Sequence, residues 1–88
     1  MIKEKIVIQN KLGLHARPAS LFVQTTSKFK SDVFVEKGTQ KVNGKSILGI
    51  MMLAAGIETE LDITVNGEDE KEAFESIKKL IDDKFYED

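Results

Sequence analysis

The 88-residue chain has no cysteine, one histidine and one proline. Without cysteine there is neither a disulfide framework nor a thiolate metal site. One histidine with no carboxylate pair close to it in sequence cannot complete a coordination shell, so no metal or other cofactor is expected. No apolar run approaches the roughly 20 residues that cross a bilayer. The start of the chain, Met1-Ile2-Lys3-Glu4-Lys5, is charged and lacks the apolar stretch of a secretory signal, so no membrane insertion and a cytoplasmic location are expected. No GxGxxG or GxxxxGK[ST] pattern is present, and no Ser-His-acid arrangement can be read from the spacing. A net charge of −2 argues against a nucleic-acid binder, which usually carries a basic stripe.

What is present fits one soluble domain spanning residues 1–88, with 41% apolar and 32% charged residues and nothing that favours oligomerisation over a monomer. Charge is unevenly placed. Only Glu4, Asp32 and Glu36 are acidic before Glu58, whereas Arg17, Lys28, Lys30, Lys37, Lys41 and Lys45 all fall in that same first part of the chain. A locally basic surface near the single histidine is therefore expected on an acidic protein, suited to an acidic partner.

Hydrophobic spacing divides the chain into seven elements. Residues 2–8 alternate as a strand, with Ile2, Glu4, Ile6 and Ile8 on one face, and Asn10-Lys11-Leu12-Gly13 follows as a turn. Ala19, Phe22, Val23, Thr26 and Phe29 recur at helical spacing and predict a helix over 16–29. Pro18 is tolerated only in a first turn, which places the helix start, and hence His15, at or beside the N-cap. Residues 32–37 and 40–43 form a hairpin about Gly38-Thr39. Ser46 caps a short helix from Ile47 to Ala55, residues 61–65 form a strand, and residues 69–84 form a helix with Ala73, Phe74, Ile77, Leu80 and Ile81 on one stripe. The order βαββαβα, with strands apolar on one face, predicts a two-layer α+β domain: an antiparallel sheet covered on one side by helices.

Three features could carry chemistry. His15 combines a ring that is neutral near physiological pH, and so nucleophilic, with a helix start whose N–H groups favour an anion. Arg17, two residues on, supplies a fixed cation that would hold a phosphoryl group. Ser46 is most simply an N-cap worth about 1 kcal/mol, but a phosphate there would meet another helix N-terminus at little expense to stability. The run Ile47-Leu48-Gly49-Ile50-Met51-Met52-Leu53-Ala54-Ala55 is apolar on more than one side. Ile50, Leu53 and Ala54 can face the core, while Ile47 with Met51 and Leu48 with Met52 form either further buried surface or a docking patch.

Gly13-Leu14-His15-Ala16-Arg17-Pro18-Ala19 together with Lys45-Ser46-Ile47-Leu48-Gly49 resembles the histidine-containing phosphocarrier (HPr) family of the bacterial sugar phosphotransferase system. The likeness spans essentially the whole chain. It implies an open-faced β-sandwich, a four-stranded antiparallel sheet with three helices on one face. It also implies a stoichiometric carrier, not an enzyme. His15 would take a phosphoryl group, at Nδ1, from enzyme I charged by phosphoenolpyruvate and pass it to IIA domains of sugar permeases, with Arg17 steadying it. The serine match implies regulation at Ser46 by an HPr kinase/phosphorylase and use of the modified form as corepressor with catabolite control protein A. Ala16, Ser20, Ile47, Leu48 and Met51 would form the docking surface. Ser20, Leu48, Met52 and Glu58 depart from the family pattern, Glu58 standing where a glycine is expected.

Three rival readings remain distinct at this stage. One is a paralogous carrier of a nitrogen- or dihydroxyacetone-related branch. Another is a regulatory module in which Ser46 and the apolar patch matter and His15 is idle. The third, an RNA-binding α+β domain, is disfavoured because the strands lack interleaved aromatic and basic residues.

Overall fold

A computed structural model describes residues 1–87 of the chain. Four strands, β1 (Ile2–Val7), β2 (Asp32–Lys37), β3 (Gln40–Asn43) and β4 (Glu60–Asn66), form one antiparallel sheet in the order β1-β4-β2-β3. Three helices, α1 (Ala16–Thr26), α2 (Ile47–Met52) and α3 (Glu70–Asp82), cover one face, and a short 3₁₀ turn follows at Lys84–Tyr86. This is the two-layer α+β domain that the order βαββαβα predicts, and its four strands and three helices make the open-faced sandwich that the resemblance implies.

The alternation of side chains explains the two unlike faces. Ile6, Val33, Val35, Leu61, Ile63 and Val65 are buried against the helices, and register places them side by side, as in Ile6 with Leu61 and Val35 with Ile63. The other face is open. There Lys5 lies 3.7 Å from Glu60 and 3.8 Å from Asp62, and Lys3 lies 3.9 Å from Glu36. Such exposed pairs are worth little each, so the sheet is held by its inner face and its ladders. The β2–β3 hairpin turns at Gly38-Thr39, with Lys37 opposite Gln40 and Gly38 at φ +60°.

Helix ends differ from expectation in three places. α1 stops at Thr26 rather than 29, because the Thr26 hydroxyl donates to the Gly44 carbonyl at 2.8 Å and the N–H groups of Lys28 and Phe29 make tighter three-residue turns. α2 stops at Met52 rather than Ala55. Ala54 takes φ +50°, and the terminal carbonyls of Met52 and Leu53 are claimed by Gln40 Nε2 at 3.1 Å and Lys37 Nζ at 3.0 Å. Ala54 consequently lies exposed outside the helix and not on the core face, where Ile50 and Leu53 alone remain. α3 stops at Asp82, and Lys84, Phe85 and Tyr86 turn through φ 54°, 55° and 60°, driving Phe85 to full burial. Nothing in the hydrophobic spacing predicts that left-handed turn.

Candidate functional site

His15 is the N-cap of α1, with extended backbone (φ −77°, ψ −172°) and its carbonyl accepting from Ala19 N–H at 2.9 Å. Its side chain makes no capping bond. The N–H groups of Ala16 and Arg17 thus have no intrahelical acceptor, and Pro18, buried at the third position, has no N–H to leave unpaired. Two glycine-dependent contacts set the approach to this cap. Gly13 sits at φ +67°, and a Cβ there would lie 2.2 Å from the Ala55 carbonyl oxygen; the next residue, Leu14, donates its N–H to that same oxygen at 2.8 Å. The loop bearing His15 is thereby clamped to the segment that leaves α2.

The ring of His15 is 40% exposed at one end of a shallow cleft of about 280 Å³, lined also by Leu12, Leu14, Met51, Ala54, Ala55 and Gly56. Its Nε2 lies 3.3 Å from Oε1 of Glu87, whose side chain is 17% exposed. Asn10, fully buried, donates from Nδ2 to that oxygen at 2.8 Å and to the Gly13 carbonyl at 2.8 Å. The Asn10 amide, opposing partial burial, holds the Glu87 carboxyl below the usual carboxylate range, with smaller help from His15 and Arg17. An ionised Glu87 can only accept, so in the neutral ring this contact favours the tautomer with the proton on Nε2 and the lone pair on Nδ1. Arg17 is exposed and makes no hydrogen bond or ion pair among the described residues.

Ser46 sits at the other helix entrance. Its hydroxyl accepts from Gly49 N–H at 3.0 Å, a filled N-cap, and the residue is half-buried. The apolar run after it is not wholly buried. Ile47, Leu48, Met51 and Met52 are exposed, Leu48 by 70% and Met52 by 62%. Met51 reaches the His15 cleft. Ala16 is exposed and Ser20 half-buried on the first turns of α1. Leu12 and Ile57 add exposed apolar surface that the sequence reading did not assign to this patch.

The expected basic surface is not gathered at His15. Lys37 binds the end of α2, Lys45 Nζ donates to the Phe29 carbonyl at 2.8 Å, and Lys41 lies 4.8 Å from the Phe34 ring centroid. The charged side chain in contact with the ring is Glu87, and Arg17 lies near enough to that carboxylate to act on it electrostatically. Glu87 and Asn10 are site residues the sequence did not flag, because 72 positions separate Glu87 from His15 and Asn10 reads as an ordinary turn residue. Glu58, where glycine was expected, does adopt φ +67°, and it donates its N–H to the Ile8 carbonyl at 2.8 Å. Among the described residues no three His, Asp or Glu side chains are placed to hold a metal ion, and no helix is long and apolar enough to cross a membrane.

An α+β sandwich that presents one histidine at an open helix N-terminus has the outline of a small carrier of anionic groups. Comparison with known proteins gives that outline its family. The family model described as the PTS HPr component phosphorylation site matches residues 2–83. The chain is 51% identical to the phosphocarrier protein HPr of Neisseria meningitidis over 87 residues, covering 99% of this chain and 98% of that one. It is 48% identical to the HPr-like protein Crh of Bacillus subtilis over 81 residues, covering 92% and 95%. The crystal structure of HPr-C-His from Thermoanaerobacter tengcongensis superposes with a TM-score of 0.96 at 50% identity, covering 100% of this chain and 99% of that one. The chain belongs to the HPr phosphocarrier family.

Proposed function

We propose that this protein carries phosphoryl groups on His15, taking them from enzyme I charged by phosphoenolpyruvate and delivering them to IIA domains of sugar permeases. The observation that carries the reading is the open cap of α1. The ring places no bond on its own helix, its Nε2 contact with Glu87 favours the tautomer with a free Nδ1, and two backbone N–H groups beside it have no acceptor among the described residues. Attack by Nδ1 on phosphorus would bring a dianion to those N–H groups and to the exposed Arg17 guanidinium. A half-exposed site with one arginine suits a carrier, which must release what it binds. The protein then acts stoichiometrically, in the cytoplasm, with catalysis arising in each complex.

Ala16, Ser20, Ile47, Leu48 and Met51 are proposed as the docking surface, supported by the exposed apolar side chains that run from α2 to the His15 cleft. Ser46 is proposed as the regulatory site of an HPr kinase/phosphorylase, its phosphorylated form serving as corepressor with catabolite control protein A. Its place inside that surface, at a helix N-terminus, supports this: a phosphate there adds charge where a partner docks and little strain to the fold.

Incubation with phosphoenolpyruvate and enzyme I should give an acid-labile label that His15→Ala loses while its circular dichroism stays unchanged. Normal labelling of that variant would overturn the reading. Similarity to Crh, whose solution structure is that of the Bacillus subtilis catabolite repression HPr, favours a second, regulatory reading, in which, we propose, the Ser46 state is the output and His15 is idle. A chase decides between them: label on His15 moves to a sugar IIA domain under the first reading and stays put under the second. An ATP-dependent, acid-stable label lost in Ser46→Ala tests the regulatory site separately.

A further inference from the structure

The pair formed by His15 and Glu87 is held by more of the molecule than a chance surface contact. Asn10 is fully buried and its amide orientation is determined, since turning it over would set Oδ1 against both the Gly13 carbonyl and the Glu87 carboxylate. Its Oδ1 stays buried without a partner, an unfavourable state maintained while Nδ2 grips Glu87. From the other side, Glu87 is delivered by three successive non-glycine residues in the left-handed region, Lys84, Phe85 and Tyr86. The fully buried Phe85 ring pins that turn, and Glu87 N–H donates to the Lys84 carbonyl at 3.1 Å. Strain, an orphaned buried acceptor and an anchored aromatic all converge on one carboxylate beside the ring of His15.

We propose that Glu87 is a positioning residue for phosphoryl transfer. It accepts the Nε2–H of His15, fixes the tautomer that leaves Nδ1 free, and offsets the positive charge the ring acquires when it is phosphorylated. The inference rests on the phosphohistidine reading above. In the transfer step the Nδ1 lone pair forms the bond to phosphorus, and the donor's bond to phosphorus breaks with its electron pair returning to the donor atom. No proton moves: Nε2 keeps its hydrogen, so the neutral ring becomes a cation. A carboxylate on Nε2–H lowers the energy of that cation as the buried aspartate does for the histidine of a serine-protease triad. The remaining cleft wall, Leu12, Leu14, Met51, Ala54, Ala55 and Gly56, carries no titratable side chain. Glu87 is the charged group in contact with the ring among the described residues, and Arg17 acts on that carboxylate from further off.

Three measurements on the full chain test this, using Glu87→Gln, which retains an acceptor without charge, and Glu87→Ala, which removes both. Long-range proton–nitrogen spectra of unphosphorylated protein at alkaline pH should show the proton on Nε2, with a mixed tautomer in Glu87→Ala; a proton on Nδ1 in the unaltered chain overturns the proposal. Labelling by phospho-enzyme I should fall about two- to fivefold in Glu87→Gln, the fold-change of a partly exposed ion pair, with KM for the carrier unchanged. Spontaneous loss of the phosphoryl group should shift its pH–rate profile to lower pH in both variants, because the ring that leaves most readily is the one carrying the Nε2 proton. Unchanged or faster labelling, or an unshifted profile, overturns the role. If no variant takes label at all, the carrier reading fails, while the tautomer measurement still judges Glu87.

Discussion

Two helix entrances face the same part of this molecule and are built on one plan, yet they are finished differently. Each has a glycine two residues before the cap: Gly13 before His15 and Gly44 before Ser46. Ser46 fills its helix with its own hydroxyl, accepting from Gly49 N–H. His15 does not, and turns its ring to a carboxylate from the far end of the chain. One entrance is closed by its own side chain; the other is left without a side-chain cap. An N-cap side chain is worth about 1 kcal/mol, so the open entrance gives up a common stabilising contact at the position where a phosphoryl group would need the N–H groups.

The glycines offer the strongest test of how rigidly the two entrances are held. At Gly13 a Cβ would meet backbone, the Ala55 oxygen at 2.2 Å and Gly56 Cα at 2.6 Å, and φ is +67°. Neither obstacle can yield without moving the chain after α2. Gly13→Ala should therefore cost about 3 kcal/mol in urea unfolding and slow labelling of His15 as well. At Gly44 the obstacle is the Val33 side chain, Cγ1 at 2.4 Å, with no positive φ. Val33 can shift at the expense of core packing, so Gly44→Ala should cost about 1–3 kcal/mol and leave labelling near normal. Equal effects on labelling would mean that the clamp at Gly13 does not position the histidine.

Much of this contrast is legible in the sequence, for local reasons. Pro18 can stand only in a first turn, so it locates His15 at the cap; Gly38-Thr39 between two β-rich runs locates the hairpin. The helix ends are not legible, because they are set by distant partners: Gly44 for α1, Lys37 and Gln40 for α2. The split of the run after Ser46 into a buried Ile50 and an exposed Ile47, Leu48, Met51 and Met52 depends on how short the helix is, which spacing alone leaves open. Glu87 at the ring depends on a left-handed turn of Lys84, Phe85 and Tyr86, residue types that rarely adopt it. Local chemistry marked the histidine; the path of the chain supplied its neighbour.

The caps themselves can be exchanged to sharpen the comparison. Ser46→Ala removes the bond to Gly49 and should cost about 1 kcal/mol in thermal unfolding. His15→Asn should do the reverse: it offers α1 the side-chain acceptor it lacks and should raise stability by about 0.5 kcal/mol while abolishing labelling. The gain is smaller than the Ser46 loss because Glu87 loses its histidine partner. A stability loss in His15→Asn would show that the N–H groups of Ala16 and Arg17 are already satisfied by solvent as well as by a cap.

The third helix entrance extends the comparison and carries the smallest effect. Asp69 caps α3 but makes no side-chain bond to that helix. Its carboxylate accepts instead from Lys30 N–H at 2.9 Å, Ser31 N–H at 2.9 Å and the Ser31 hydroxyl at 2.5 Å, tying down the loop that follows α1. The Ser31 hydroxyl first, then the Lys30 N–H, lower the Asp69 carboxyl from 3.8 to about 2. A carboxyl whose pKa is depressed by folding contributes stability that is complete above the unfolded value and lost as pH falls through the folded one. Acid unfolding followed between pH 4 and pH 2 should therefore show a stabilisation that declines over that window in the unaltered chain. Asp69→Asn should remove that decline, since an amide does not titrate, and should leave the His15 label untouched because its partners lie on Lys30 and Ser31. A decline of the same slope in Asp69→Asn would assign the acid sensitivity to other carboxylates, Glu87 and Glu70 being the two that folding also lowers.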